Sequence, residues 1–255
     1  IRLSLVGSEM CIRDSEDASA NQSSVSSGDG FTTEAGGGTP TLETDGNLIN
    51  TSSPGTTPAI LTDITANAGD IIVLLVGTCR NSGGSAMALS ATWNSENFTE
   101  DIQLLHAGGR ATSHILTLVC ASSGTYTPVV TCSNSAAAVG CDYFVISGQS
   151  GSPKIQTETA TATNSTSVSD TLETPNTGAI LLATACQRYN SSPGSSSMTI
   201  GSPWTQDSNF RTGTGSNLDL VFSAGHYVAP DATNVTATFT SDGAQNITFA
   251  AIEIF

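Results

Sequence analysis

The sequence predicts an all-β protein: a single jelly-roll-like β-sandwich built from two repeated halves. Three observations predict it. After residue 58, short runs rich in Val, Ile, Leu, Thr and Phe recur about every 10 to 15 residues, separated by clusters of Gly, Asn, Asp, Pro and Ser, which is the spacing of a sandwich or barrel. No segment keeps an apolar 3.6-residue period between helix caps, so helix content is expected to be small. The order of parts in the first half returns in the second, and such self-similarity has to be read before any topology is drawn.

Residues 16–57 contain SSVSSGDG, EAGGGTP, ETDGN and NTSSPGTTP, a Gly, Ser and Pro density that reads as a flexible polar arm with one short strand at Thr41 to Ile49. The strands expected after it are Ile71 to Val76, Ala88 to Trp93, Ile115 to Cys120, Thr127 to Cys132, Asp142 to Ser147, Ile180 to Cys186, Leu218 to Ser223, Val235 to Thr240 and Ile247 to Phe255. Several alternate, as Thr236-Ala237-Thr238-Phe239-Thr240 does, with one face toward a core and one toward water.

The halves are placed at about 58–150 and 151–255. The first runs AGDIIVLLVGTC, SATWN, SHILTLVCASSGTYTPVVTC, VGCDYFVISG, and the second NTGAILLATACQ, GSPWTQD, NLDLVFSAGHYVAPDATNVTATF, NITFAAIEIF. Aligning Val73-Leu74-Leu75 with Ile180-Leu181-Leu182 puts Cys79 opposite Cys186 and brings Trp93 and Trp204 to matching places, a period of about 107 residues. Two arrangements follow: two tandem small β-sandwiches, or one larger sandwich whose halves interleave as a jelly roll. The single body is preferred, because eight Phe and two Trp are few for two separate cores and Gly148 to Pro153 is short for a linker.

With 7 Lys+Arg against 22 Asp+Glu, the 255-residue chain carries a net charge of −15 although only 11% of its residues are charged. One lysine, Lys154, and six arginines cannot build the basic stripe that phosphate neutralisation needs, which argues against a nucleic-acid partner. An anionic membrane would repel the chain. The longest apolar run, Ile71 to Val76, is far short of the roughly 18 residues of a spanning helix, so no membrane insertion is expected.

Residues Ser4 to Ser15, SLVGSEMCIRDS, resemble the translation of a transposase-based sequencing adapter, whose codons give Leu5 to Asp14 one for one. The resemblance implies that residues 1–15 are an artefact of assembled metagenomic DNA and that the authentic protein begins near Glu16. Removing them takes away Arg2, Arg13, Glu9 and Asp14, so the net charge stays at −15.

Setting Cys11 aside leaves Cys79, Cys120, Cys132, Cys141 and Cys186. None has C-x-x-C spacing, and His106, His114 and His226 form no H-E-x-x-H pattern, so no metal site of the N/S type is expected. Cys79 and Cys186 read as buried small hydrophobes. Cys132 and Cys141 flank the turn SNSAAAVG and could close a hairpin as a disulfide in an oxidising compartment.

Chemistry is thin. No G-x-S-x-G elbow, G-x-G-x-x-G or Walker A string is present, and no catalytic residue is assigned. A glycoside-active enzyme would need two carboxylates in differing environments, and Glu96, Glu100, Asp101, Asp142, Asp219 and Glu253 are the acids from which a pair could come. No cofactor is implied beyond a Ca2+ that Asp29, Asp45, Asp63, Asp231 or Asp242 could ligate from their loops, although Asp-Gly turns explain three of these without an ion. A flat ring stacks on the apolar face of a sugar, and Trp93, Trp204, Tyr126, Tyr143, Tyr189 and Tyr227 are the candidates. Tyr189, in the loop Gln187-Arg188-Tyr189-Asn190, is expected to be the exposed ligand-binding ring.

The opening Gly69-Asp70-Ile71-Ile72-Val73, the element Gly201-Ser202-Pro203-Trp204-Thr205 and the closing apolar strand resemble duplicated β-sandwich modules of phage virion appendages and secreted bacterial proteins. The resemblance covers residues 58–255, and the first half departs from it at Ala91-Thr92-Trp93-Asn94. It implies a fold and transfers no functional residue. The expectation is a non-catalytic structural or receptor-binding component of a phage tail appendage or virion surface, extracellular, with a cell-surface glycan or other virion proteins as partners and with homo-oligomers in view. The alternatives are a secreted bacterial adhesion or carbohydrate-binding module and a glycoside-active enzyme on a jelly roll.

Overall fold

The computed structural model describes residues 38–80, 85–106, 110–149, 153–188, 197–212 and 219–255. All of them belong to the compact unit Ala35–Phe255. The described residues form strands and no helix. The first half contributes β1 (Thr41–Gly55), β2 (Ile64–Ala66), β3 (Ile71–Arg80), β4 (Leu89–Trp93), β5 (Glu96–Asn97), β6 (Thr99–Leu105), β7 (Ala111–Val119), β8 (Gly124–Tyr126), β9 (Val129–Cys132) and β10 (Ala136–Ser147). The second contributes β11 (Lys154–Leu172), β12 (Ile180–Arg188), β13 (Met198–Ile200), β14 (Thr205–Thr212), β15 (Leu220–Val228) and β16 (Val235–Ile254).

The two main sheets follow the same antiparallel path, β1-β10-β3-β7-β6 and β11-β16-β12-β15-β14. Each is drawn wholly from one half, so the halves stack as whole sheets instead of exchanging strands. Between them lies a core of Ile71, Val73, Leu75, Phe144 and Ile146 from one sheet and Ile180, Leu182, Phe222, Ile252 and Ile254 from the other. The reverse face of the first sheet packs Leu74, Leu116 and Val145 on an outer layer carrying Ile64, Leu89, Trp93 and Val130. In the second half the outer layer comes from the β11/β16 ribbon itself. Lys154 to Ala162 pair with Ile247 to Ile254, and Ser167 to Leu172 pair with Val235 to Thr240, with register irregularities between. The ribbon folds over there: Gln156, near one end of β11, donates to the carbonyl of Glu173, just past the other, at 3.0 Å. Val168, Leu172 and Phe239 thereby close a core with Leu181, Val221 and Phe249.

The single body and the pair of small sandwiches therefore merge into one arrangement, in which each half has its own core and a third core joins them. The few Phe and Trp suffice because small residues bring the layers close. Gly77 and Gly140 are cross-strand partners. A Cβ on Gly77 would lie 2.7 Å from the Phe222 ring and 3.1 Å from the Cys186 Cβ, and one on Gly140 2.8 Å from the Phe210 ring. With both faces covered, Ile71 to Cys79 and Ile180 to Gln187 are buried without interruption, the reason these runs read as continuously apolar.

The structure also shifts the alignment of the halves. Gly69 and Gly178 take positive φ of 91° and 85° in equivalent turns. Gly69 N–H donates to Cys120 O at 2.8 Å and Gly178 N–H to Ala229 O at 2.7 Å; the return bonds run from Cys120 N–H to Asp70 O and from Ala229 N–H to Ala179 O. Ile71 thus corresponds to Ile180, and Gly77, not Cys79, to Cys186. A slip of two residues leaves every side chain on its own face, so hydrophobic patterning cannot detect it. Both tryptophans occupy equivalent roles, each indole N–H donating at 3.1 Å to a backbone carbonyl of its own half, Ile64 for Trp93 and Thr236 for Trp204.

Two expectations are corrected. Of the arm expected over 16–57, residues up to 37, with the adapter-like 1–15, lie outside the described residues; Thr41–Gly55 is instead an edge strand of the first main sheet, hydrogen-bonded along β10. Its Thr, Asn and Asp content reflects an edge with one wet face. The disulfide expected between Cys132 and Cys141 is not formed, and both are buried thiols. The intervening turn does not join a hairpin: β9 pairs with β4 and β10 with β1 and β3, so Cys132 lies opposite Leu89 and Cys141 opposite Val76 and Ile49. Burial pushes the Cys132 thiol up to about 11 and that of Cys141 well above its ordinary value, which leaves both unreactive. Dithiothreitol is expected to leave the thermal midpoint unchanged, since a lost native disulfide would cost about 2–5 kcal/mol; a midpoint that falls on reduction and recovers on reoxidation would restore the bridge.

Candidate functional site

The six carboxylates singled out in the sequence do not assemble into one cleft. Each is held by a local partner. Glu96 accepts from Ala121 N–H at 2.9 Å and Ser122 Oγ at 3.1 Å. Glu253, fully buried, accepts from Asn176 N–H at 2.7 Å, Asn176 Nδ2 at 2.9 Å and Gln156 Nε2 at 2.6 Å, bracing the turn that carries Gly178. Asp219 receives the Arg211 guanidinium, with Nε at 2.9 Å and Nη2 at 2.5 Å. Glu100 receives His114 Nδ1 at 2.8 Å, while His114 Nε2 lies 3.1 Å from Thr78 Oγ1. That is the order of a carboxylate, imidazole and hydroxyl relay, but His114 and Thr78 have no exposed surface, and burial holds the His114 pKa below its ordinary value. The relay is an interior brace.

The remaining acids mark the two seams where one main sheet borders the other. Asp101 and Asp207 occupy equivalent places: each is the extra residue of a register shift, between Glu100 and Ile102 in β6 and between Gln206 and Ser208 in β14. A bulge of this kind re-aims a side chain. At one seam Asp101 accepts from Thr117 Oγ1 and from Lys154 Nζ, both at 2.5 Å. At the other Asp207 holds His226 Nδ1 at 2.9 Å from each carboxylate oxygen.

The second seam gathers several acids around a histidine. Asp142, 1% exposed, projects from β10 and accepts from Ser208 Oγ at 2.7 Å and Asn47 Nδ2 at 3.1 Å, both on Oδ1. Its Oδ2 is buried with no hydrogen-bond partner. Burial raises its pKa to about 7 against the lowering effect of those two donors, and the charges of Asp207 and Asp45 raise it further. Asp45, on the exposed side, is raised by burial and by Asp207. The hydrogen bond to Asp207 raises His226, whose ring also lies 6.4 Å from that of Phe144 at 66°. Asp207 and Asp45 both favour the charged imidazole of His226, and a proton on Asp142 relieves the crowding of negative charge among the three carboxylates. Asp142, the group whose pKa is raised most in this seam, is covered by the packing around it.

Of the calcium candidates, Asp29 lies outside the described residues. Asp63 takes Thr127 Oγ1 at 2.5 Å, and Asp231 closes its own turn through Thr233 N–H at 3.0 Å. Ser197 Oγ lies 3.5 Å from Asp242. Among the described residues no group of three or more His, Cys, Asp or Glu side chains is placed to hold a metal ion. Tyr189 lies outside the described residues. Trp93 is fully buried, Trp204 and Tyr143 nearly so, and Tyr126 is exposed. The sequence offered no signal for Asn47, Thr78, Asp207 or Ser208, whose significance comes from cross-strand neighbours distant in the chain. No protein-family model, curated protein or solved structure matches this chain.

Proposed function

We propose that the protein is a non-catalytic structural or receptor-binding component of a virion surface, of the kind carried on phage tail appendages. One observation carries this reading: the carboxylates and histidines that could have supplied chemistry are engaged in holding strands and sheets together, and the raised-pKa acid among them is buried. The Ser- and Thr-rich outer strands, such as β11, give a polar, weakly charged exterior suited to an exposed position. Incubating the purified protein with bacterial cells and their isolated envelope polysaccharide tests it. The expected result is retention without release of reducing sugar. Release that is abolished by Asp142→Asn would overturn the proposal in favour of a glycoside-active enzyme. Gene neighbours distinguish this reading from a secreted bacterial adhesion module, with tail or capsid genes on one side and secretion genes on the other.

A further inference from the structure

We propose that the Asp207 seam is a pH-operated latch: it holds the two main sheets together while Asp142 and His226 keep their protons and parts when they release them, the sheets remaining joined along the Asp101 seam.

The two main sheets are separate ladders, with β1 and β6 outermost in one and β11 and β14 outermost in the other. Among the described residues no strand pairing bridges either seam, so side chains close both. At equivalent bulges the seams carry the same acid with different cations. Asp101 holds Lys154 Nζ at 2.5 Å, whereas Asp207 holds His226 Nδ1 at 2.9 Å. A lysine stays charged across the neutral range and a histidine does not. The contacts that cross the Asp207 seam come from β14 and β15. Ser208 Oγ of β14 donates to Asp142 Oδ1 of β10 at 2.7 Å. The Phe210 ring of β14 lies against Gly140 of β10, where a Cβ would stand 2.8 Å from it. His226 of β15 meets Phe144 of β10, with ring centroids 6.4 Å apart.

The polar and charged groups that face Asp142 and His226 are Asp45 and Asn47 from β1 and Asp207 and Ser208 from β14. The central strands β3 and β12 set Leu75 beside Asp142 and Leu182 beside His226. With both protons in place, Asp142 is a neutral acid and the imidazolium of His226 attracts Asp45 of the other sheet. Releasing them removes that attraction and leaves Asp45 and Asp142 of one sheet facing Asp207 of the other without the positive charge. Asp142 then carries its charge at a buried place where Oδ2 has no hydrogen-bond partner, a cost that entering water relieves. Water reaches it when β14 draws away from β1 and β10. That motion breaks no ladder, and local opening of this kind costs less than unfolding the whole chain. The Lys154–Asp101 pair keeps the opposite side closed.

NMR of the intact protein tests this through proton–proton contacts between the sheets, measured at about pH 5.5 and about pH 8.5, on either side of both proton losses. The contact of the Phe210 ring with the Gly140 Hα protons reports the Asp207 seam. Ser113 of β7 and Thr248 of β16, whose hydroxyls lie 2.8 Å apart, report the side nearer Asp101. The Phe210–Gly140 cross-peaks are expected to weaken by about two-fold or more at the higher pH while the Ser113–Thr248 cross-peaks hold, as a shift toward the open state requires. Asp142→Asn is expected to keep both at both pH values. Phe210–Gly140 cross-peaks of equal strength at the two pH values would overturn the latch. So would equal weakening of both contacts, the mark of a sandwich that loosens as a whole, and so would a folded Asp142→Asn that weakens as the parent does. Comparing the two contacts needs no variant, so if Asp142→Asn folds poorly the parent alone decides the outcome.

Discussion

Phe222→Ala is expected to lower the unfolding free energy by about 3–5 kcal/mol, the range for removing a buried aromatic ring from a close-packed core. Phe222 is fully buried at the centre of the layer that joins the two main sheets. Its ring fills the space left by Gly77, and its Cβ lies against Gly140. The same contact predicts an effect from the opposite direction. Gly77→Val drives a branched side chain into the Phe222 ring and against the Cys186 Cβ, which cannot yield without moving β12, at a cost of about 1–3 kcal/mol or more. In the Gly77→Val/Phe222→Ala double variant the new methyl groups enter the space the ring vacates, so the two losses should fall short of additivity. Urea unfolding of the four proteins measures this. Strict additivity would show that Phe222 and Gly77 do not share one packing site.

Raising the pH from 5 to 8 is expected to destabilise the protein, and Asp142→Asn is expected to remove much of that loss. In the folded chain Asp142 keeps its proton up to about pH 7, whereas an unfolded aspartate releases it near 4. Between those values the folded state binds more protons, so stability falls as the pH climbs. His226 acts in the same direction: its pKa is raised by Asp207, so its contribution is complete below about 6.5 and is lost as the pH passes the folded value. The first step adds a negative charge and the second removes a positive one, both at a seam that already holds Asp45 and Asp207. His114 acts oppositely. Burial lowers its pKa, so the unfolded state takes up the proton first and stability declines as the pH drops below about 6.5. Comparing parent and Asp142→Asn cancels that background, and the variant should gain on the order of 2–4 kcal/mol at pH 8 and little at pH 4. Parallel pH profiles for the two proteins would show that Asp142 is ionised in the fold at neutral pH.

Strands buried on both faces were the easiest to read. Ile71 to Val76 and Ile180 to Cys186 announce themselves as continuous apolar runs because two different cores claim their alternate residues. The edge strands went unread for the converse reason. β6, β11 and β14 each have an open edge and at least one wet face, so Thr-Glu-Thr-Ala-Thr-Ala-Thr in β11 reads as loop chemistry although it pairs with β16 over most of its length. The site residues divide similarly. Asp142 and His226 could be named as titratable residues on strands, but Asp207 matters because a one-residue bulge in a polar edge strand turns it toward His226.

The sequence alone determined that the chain is all-β, that its two halves have the same order of parts, and that its charge is acidic and sparse, because these follow from composition, period-2 patterning and turn residues, which act locally. Tertiary structure decided the rest: that the halves stack through a third core, that their true alignment lies two residues from the one the apolar runs suggest, that Cys132 and Cys141 lie in different sheets, and that Asp142 is buried among acids. Those features depend on which surfaces meet across the chain, and a pattern that repeats every second residue is silent about which of its equivalent registers and faces will be brought together.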